Sequence, residues 1–408
     1  MAYALPVGAP GAQRSIAAVL LPGLGALGFV TLAASAAATL PPEAALHPRV
    51  DAYYLAIGAA FLSYVAALIL LRRARASLAP VLVIAALVQA IPLGSPLLLS
   101  QDAGSYWDYA RIAAVDGGNP YRDPPLRFRH DPAYPSVAGA WRRTTSAYGP
   151  LFTAASEGGA LAVGTSPSAA RTLFKTAAAV GVVTLALLVA FVSPRPALAA
   201  AAVGWNPLFA MHFGGGGHND VWMMVPLVGA LALDQRGRRH SAGALWAVAV
   251  AVKWIPLLLL PLRTSARQQG SRFGYAGFAA ASLAVAVVAS ILYGDRWLGA
   301  FGPVGHDVAS GSATSIPHLL GRTGIGKAIA SGALVLAFVV AYTALLVAAR
   351  RRRARLGLAT ALLLLATPWI LPWYASWAVP LAAAEDDGVA LVLSVALTGY
   401  LLEARAPL

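Results

Sequence analysis

The sequence predicts an all-α membrane protein that crosses the bilayer several times. Of its 408 residues, 59% are hydrophobic and only 11% are charged, and the mean hydropathy is +0.68. Globular domains carry about one quarter charged residues. Apolar runs of about 20 residues recur along the chain, each long enough to cross a hydrocarbon layer of roughly 30 Å as a helix. Membrane strands would alternate polar and apolar residues, so these runs favour a helical bundle.

The charged residues are mostly basic and give the chain a net charge of +14. Arginines cluster in short loops beside apolar runs, which is typical of cytoplasmic anchors that face anionic lipids. We therefore expect membrane lipids, and no nucleic acid, as partners of this charge. The chain has no cysteine, which excludes disulfides and thiolate metal sites.

The basic loops set the expected topology. The first apolar run ends in LAASAAATL, which resembles a signal-peptidase site, but the run is longer than a signal segment and predicts an uncleaved span. The positive-inside rule then places "RRARA" (Arg72–Ala76) in the cytoplasm. The expected spans are residues 15–38, 51–71, 77–98, 167–193, 196–212, 274–293 and 327–349.

Two segments need special treatment to keep the basic loops inside. If Pro150–Gly164 crossed fully, the loop "DQRGRRH" after residue 233 would lie outside, so we expect this segment to stay at the outer face as a re-entrant or interfacial helix. The run after that loop is expected to be a broken hairpin that turns near Lys253 and Pro256, because proline removes a backbone donor. We find no internal repeat or linker, and one membrane domain, residues 1–408, is the economical interpretation.

The longest polar region, residues 99–149, forms the first outer loop. Asp102 lies where the third span meets water, a good position for a base that meets a lipid-borne substrate. Asp108 and Asp116 follow on or beyond an expected amphipathic helix along the membrane surface, which also carries Tyr106. The alternative is that these carboxylates only solvate a loop.

The stretch GGGGHND, within residues 213–220, is a second candidate binding region. Four glycines allow close backbone approach and backbone donors aimed at an anion, and His218 can bind a phosphate or carry a proton. No Gly-Lys-Ser/Thr follows, so the stretch is not a P-loop. The alternative is a loop in which Asp220 caps a helix and His218 is satisfied by protein groups.

Two further features carry chemistry at the membrane. Lys253 lies deep in an apolar run, where an ammonium costs at least about 2.5 kcal/mol unless it pairs or reaches the interface. It is a candidate phosphate ligand or a residue that snorkels to the outer interface. Trp373 and Tyr374, near Trp369 and Trp377, are typical of an interfacial aromatic belt, and the alternative is stacking on a sugar.

Five motifs taken in order carry a family resemblance. They are QDAGSYWDYARIAAVDGGNPY, YGPLF, GGGGHND, VKWIPLLLLP and PWYASWAVPL. The chain from about residue 95 to 380 resembles the bacterial polyprenyl-phosphate-mannose-dependent mannosyltransferases of the GT-C superfamily, and is similar above all to the actinobacterial alpha-1,6-mannosyltransferases of lipomannan synthesis.

The resemblance implies a GT-C-like helical bundle, whose long first outer loop carries interfacial helices, and an inverting transferase. Asp102 would be the general base, with His218 as a second catalytic residue. His218, Arg171 and Lys253 would stabilise the leaving phosphate. The implied substrate-binding residues are Tyr106, Asn119, Tyr121, Tyr148, Arg171, Asn219, Asp220, Lys253, Trp373 and Tyr374. The donor is a lipid-linked sugar, so no cofactor and no metal are expected.

The implied reaction transfers mannose from polyprenyl-phosphate mannose to a glycan or glycolipid acceptor, with an alpha-1,6 linkage, at the outer face of the bacterial plasma membrane. Two alternatives stay open. One is a secondary transporter or flippase, since broken helices and a membrane lysine also build carrier sites. The other is a GT-C transferase of another sugar, such as arabinose or glucose.

Overall fold

The computed structural model describes residues 10–39, 48–74, 76–266, 273–303, 305, 311–351 and 353–402. Its longer helices follow in chain order as α1 Pro10–Ala38, α2 Pro48–Arg73, α3 Leu78–Ala90, α4 Asp102–Ala114, α5 Pro150–Val163, α6 Pro167–Val192, α7 Pro196–Gly204, α8 Asp220–Gln235, α9 Arg239–Val252, α10 Pro256–Ser265, α11 Tyr275–Tyr293, α12 Lys327–Ala349, α13 Leu356–Ala366, α14 Ala375–Ala384 and α15 Gly388–Leu401. Over the described ranges no strand occurs.

Five helices within these ranges are long and apolar enough to span a membrane, namely parts or all of α1, α2, α6, α11 and α12. Helices α11 and α12 bury little of their surface in the protein. Apolar side chains that the protein does not cover are stable where lipid covers them. The predicted all-α polytopic membrane fold is confirmed.

The expected span 196–212 is not one continuous helix. Helix α7 ends at Gly204, and Pro207, which has no amide hydrogen, starts a new short helix. The Asn206 side chain accepts hydrogen bonds from the amides of Leu208 and Phe209 and so caps the new start. Helix α7 lies at the centre of the bundle, packed against α2, α3, α6 and α14, with every residue from Leu198 to Gly204 buried.

The basic loops meet at one end of the bundle. Arg195 pairs with Asp386 at 3.1 Å and donates a hydrogen bond to the Arg72 carbonyl. Gln235 donates to the Val192 carbonyl. We call this region the basic end, formed by residues 72–74, 193–195, 234–238, 353–355 and 385–387. Part of the loop after α10, residues 267–272, lies outside the described residues.

Helix α6 separates the basic end from the outer loop. Its 26 residues span about 39 Å, and the carbonyl of Gly164, just before its start, accepts a hydrogen bond from Arg111 of α4. Gly149, just before α5, donates to the carbonyl of Val252 at the end of α9. Helix α5 is thus tied at its start to the end of α9 and at its end to α4.

Candidate functional site

Asp102 is the first residue of α4 and faces a cavity. A turn of 3-10 helix, Ile91–Gly94, follows α3, and an extended loop leads from it to Asp102. The Asp102 amide donates to the Ser100 hydroxyl, and its side chain is 19% exposed. The carboxylate therefore reaches the cavity while its backbone is fixed.

The glycine stretch passes behind Asp102 and needs glycine for close packing. A Cβ on Gly214 would lie 2.4 Å from the Gln89 carbonyl oxygen, and Gly217 has a φ of +75°. The amides of Gly215 and Gly217 donate to protein carbonyls in the preceding turn, of Ala210 and Phe213 respectively. The expectation that these two amides point at a bound anion is therefore wrong.

His218 lies under Asp102 rather than in the cavity wall. Its side chain is fully buried, and its Nδ1 atom is 3.3 Å from Oδ2 of Asp102. The imidazole stacks on the Trp373 ring, with centroids 3.6 Å apart and planes 19° apart. His218 can act on the substrate only through Asp102 in this arrangement.

Asp220 is a buried carboxylate at the base of the cavity. Its Oδ1 atom accepts hydrogen bonds of 2.6 Å from the Lys253 ammonium and from the Trp377 indole. Its side chain makes no capping bond to α8, for which Asn219 is the residue before the first turn. The interpretation of Asp220 as a helix cap is therefore wrong.

Lys253 lies at a helix break, as predicted. Helix α9 ends at Val252, Lys253 has an extended backbone, and α10 starts at Pro256. Its ammonium lies 5.0 and 5.2 Å from the ring centroids of Tyr374 and Trp377, within cation–π range. Pairing with Asp220 and two rings, rather than snorkelling, accounts for this cation.

The cavity has a volume of about 390 Å³ and lies between α4, the loop before α5, the start of α8, the break before α10 and the α13–α14 connection. The predicted site residues in its lining are Asp102, Tyr106, Tyr148, Asn219, Asp220, Lys253, Trp373 and Tyr374. The structure thus brings together side chains from widely separated motifs.

The remaining predicted site residues do not line this cavity. The Asn119 side chain donates to the Tyr293 carbonyl and fixes a turn. The Tyr121 hydroxyl donates to the Thr153 hydroxyl at 2.8 Å. Arg171 is exposed on α6. Substrate contacts by Asn119, Tyr121 and Arg171 therefore have no support from this arrangement.

The sequence analysis assigned no site role to several residues that line the cavity. The aromatic belt assigned to Trp373 and Trp377 is wrong, because these rings are 3% and 5% exposed and point into the bundle. Trp254 also lines the cavity, as do Ser105, Tyr109, Trp141 and Trp369. The sequence signal that could have indicated a binding site here is the presence of aromatic residues next to a helix break, as at Trp254 beside Lys253.

Three donors at the cavity have no hydrogen-bond partner among the residues that the structure describes. The Ser105 hydroxyl, the Asn219 side-chain nitrogen Nδ2 and the Trp254 indole nitrogen are buried without a hydrogen bond. Leaving a buried donor unpaired costs about 1–3 kcal/mol. These groups are suited to hydrogen bonds with an oxygen-rich ligand.

An apolar groove adjoins the cavity at Asn219. It has a volume of about 430 Å³, lies between α5, α6, α8 and α9, and is lined almost entirely by apolar side chains. Among them are Phe152, Phe174 and Trp222. Asn219 lines both spaces, so the aromatic cavity and the apolar groove are neighbours.

Known proteins place this chain in a family. Residues 13–267 match the family described as alpha-(1->6)-mannopyranosyltransferase, N-terminal domain. The chain is 29% identical over 329 residues to alpha-(1->6)-mannopyranosyltransferase A of Mycobacterium tuberculosis, covering 71% of this chain and 63% of that protein. The chain thus spans less than two thirds of the length of this curated relative. No solved structure matches it. The extent of the family match shows that the chain belongs to the alpha-(1->6)-mannopyranosyltransferase family.

Proposed function

We propose that the protein is an inverting mannosyltransferase that moves mannose from polyprenyl-phosphate mannose to a hydroxyl of a lipid-linked mannan or glycolipid, with an alpha-1,6 linkage. The observation that carries this proposal is the partly exposed Asp102 carboxylate in a cavity that shares the lining residue Asn219 with an apolar groove, in a chain of this family. The family match favours a transferase over a transporter and mannose over other sugars.

Asp102 is the proposed general base. It takes the proton of the acceptor hydroxyl while the oxygen forms a bond to the anomeric carbon. The bond from that carbon to the phosphate oxygen breaks, and its electron pair leaves with polyprenyl phosphate. Attack opposite a beta-linked donor gives the alpha product.

The donor is proposed to lie across the junction of cavity and groove. Its polyprenyl chain fits the apolar groove, and its phosphate and sugar fit beside Asn219. A ligand made of a polar head on an apolar chain matches the polarity of the two linings, because burial of part of the chain in the groove removes apolar surface from water.

The leaving phosphate gains negative charge as the bond breaks. Lys253 is the proposed cation, since its ammonium lines the cavity and keeps part of its surface exposed. The unpaired donors of Ser105, Asn219 and Trp254 supply hydrogen bonds to the phosphate or the sugar. Donors fixed before the reaction stabilise developing charge without reorganisation.

His218 is proposed to orient Asp102 rather than to touch the substrate. Its buried ring stacks on Trp373, and its Nδ1 atom lies 3.3 Å from the carboxylate. The aromatic side of the cavity, with Trp141, Trp254 and Trp369, is the proposed platform for the acceptor sugar. The proposal includes no cofactor and no metal, and it places the site on the outer face of the plasma membrane.

The test is transfer by the purified protein. Radiolabelled polyprenyl-phosphate mannose and a short mannoside acceptor should give a labelled product and free polyprenyl phosphate. Loss of a general base lowers the rate by about 100-fold to 10,000-fold, so Asp102→Asn should lose transfer to that extent.

The matched control is Asp116→Asn, which changes an exposed carboxylate in the same outer loop that does not line the cavity. It should keep the activity of the unchanged protein. Full activity of Asp102→Asn would refute the assignment of the base, and an unchanged donor in the presence of acceptor would refute the proposed reaction.

A further inference from the structure

Lys175 is a buried cation with no role in the chemistry proposed so far. It lies on α6, about 12 Å along the helix from its start, and is 2% exposed. Its ammonium donates to the carbonyls of Pro92 at 2.8 Å and of Leu93 and Pro96 at 3.2 Å, and also to Ser95. Among the described residues, the hydrogen-bond partners of this ammonium are neutral carbonyl and hydroxyl oxygens.

A buried ammonium held by neutral carbonyls is expensive. Removing a cation from water costs several kcal/mol, and an ionisable residue inside a membrane segment is by default a candidate for a functional role. The carbonyls come from the end of the helical turn Ile91–Gly94 and the loop after it. The negative end of a helix dipole favours a cation there.

The carbonyls belong to the segment that leads to Asp102. Leu99, between these carbonyls and Asp102, has a φ of +62°, a left-handed conformation that is uncommon for leucine. Such a conformation persists only where the surroundings determine it. The Leu98 amide donates to the Gly215 carbonyl at 3.0 Å, which ties the same segment to the glycine stretch.

The glycine stretch also touches α6 at Lys175. A Cβ on Gly217 would lie 3.3 Å from the Lys175 amide nitrogen and 3.3 Å from the Ala103 Cβ. The backbone of Gly217 thus fills the narrow space between α6 and the start of α4. His218 follows directly, and its Nδ1 meets Asp102.

We propose that Lys175 is a positioning residue that clamps residues 92–96 and thereby holds Asp102 against His218. This inference rests on the proposed function for its kinetic consequence, but not for its structural one. The lysine would set where the carboxylate stands, while the glycine stretch sets where the imidazole stands. A shift of one of them separates the pair.

The structural consequence is tested without activity. Amide hydrogen exchange of residues 95–104 is measured on the full chain in lipid nanodiscs, for the unchanged protein, Lys175→Met and Lys175→Arg. Loss of the clamp should accelerate exchange of these amides by about tenfold or more in Lys175→Met. Lys175→Arg keeps a cation with several donors and should give a smaller acceleration.

The kinetic consequence separates positioning from general destabilisation. A misplacement of about 1 Å costs roughly 100-fold in rate, so Lys175→Met should lower kcat by this order and leave the KM for the donor nearly unchanged. The control is Arg263→Met, which removes an equally buried cation that pairs with Asp234 near the basic end. It should lower stability without the loss of kcat.

Unchanged exchange at residues 95–104 in a folded Lys175→Met would overturn the clamp, and so would accelerated exchange with an unchanged kcat. If Lys175→Met does not fold, the neutral variant Lys175→Gln decides by the same two measurements, and unchanged exchange and kcat in Lys175→Gln would equally overturn the clamp. Asp102→Asn is measured in parallel. Full activity of Asp102→Asn would refute the proposed role of Asp102 as the base. The exchange measurement would still show whether Lys175 fixes residues 95–104.

Discussion

Asp220 shares one carboxylate oxygen between an ammonium and an indole in the interior of the bundle. Its other oxygen is buried and accepts no hydrogen bond from the described part of the chain. The stability of this carboxylate therefore depends on Lys253 and Trp377. Because Lys253 also lines the cavity, one ion pair serves both the local fold and the proposed phosphate site.

Lys253→Met is expected to lower the free energy of unfolding by about 3–5 kcal/mol, because removal of one partner leaves a buried charge uncompensated. The double variant Lys253→Met with Asp220→Asn should recover much of that loss, since the amide is neutral and still accepts from Trp377. Chemical unfolding in mixed micelles measures both. A Lys253→Met protein as stable as the unchanged one would contradict this account of the pair.

The sequence could predict individual cavity residues where a local signal existed. Asp102 stands where an apolar run meets a polar loop, and Lys253 stands beside Pro256. The contact of Trp377 with Asp220 joins residues 157 positions apart, and only packing decides it. The cage around Lys175 is made of backbone carbonyls, which every residue has, so no side-chain pattern announced it.

Helix α4 combines one face at the cavity with a buried carboxylate on another. Asp108 is 1% exposed, and within the described ranges neither of its carboxylate oxygens has a hydrogen-bond partner. Burial, and then the nearby Asp131 and Asp116, raise the pKa of Asp108 to about 7, while Arg111 opposes the shift. Arg111 itself pairs with Asp131 at 2.8 Å, so the charged groups here also join α4 to the outer loop.

A raised carboxyl pKa makes the fold depend on pH. The folded protein keeps a proton on Asp108 that the unfolded chain releases near pH 4, so this group's contribution to stability is complete at low pH. It is lost as the pH rises toward about 7 and is constant above that value.

Asp108→Asn should therefore raise the Tm relative to the unchanged protein at pH 8 and lose that advantage at pH 4. The measurement is the Tm of both proteins in detergent across this range. Asp295→Asn, a change to an exposed carboxylate beside Arg296, is the control and should leave the difference flat. The same Tm difference at every pH would show that Asp108 does not titrate in this way.

Two helix breaks in the structure occur at prolines, and the sequence analysis predicted only one of them. Pro256 predicted the break at Lys253 because the run around it was otherwise apolar. No break was predicted at Pro207, but α7 ends at Gly204 and a new short helix starts at Pro207, after Asn206. The expected long span is broken here. The Asn206 side chain accepts hydrogen bonds from the first free amides of the second helix, so the break leaves these buried amides satisfied.

The molecule has two chemically different ends. The basic end gathers the arginine loops that follow α2, α6 and α8, and the outer loop lies beyond the other end of α6. Helix α8 starts at the cavity with Asp220 and reaches the basic end after 16 residues, about 24 Å. The cavity is thus separated from the basic end by most of the thickness of a hydrocarbon layer.

This polarity makes the side of the cavity measurable, because the chain has no cysteine and any introduced thiol is unique. Gly216 is unsuitable as a reporter, since it is buried and a Cβ there would lie 2.7 Å from the His212 carbonyl. Ala140 in the outer loop and Ser241 near the basic end are both exposed.

Ala140→Cys should react with a membrane-impermeant maleimide in intact cells, and Ser241→Cys should react only after the membrane is opened. The reason is the positive-inside rule, which assigns the loops of the basic end to the cytoplasm. The same labelling in opened cells shows that both thiols are reactive. The reverse pattern would place Asp102 and its cavity on the cytoplasmic face, where an acceptor and a donor would have to meet before they cross the membrane.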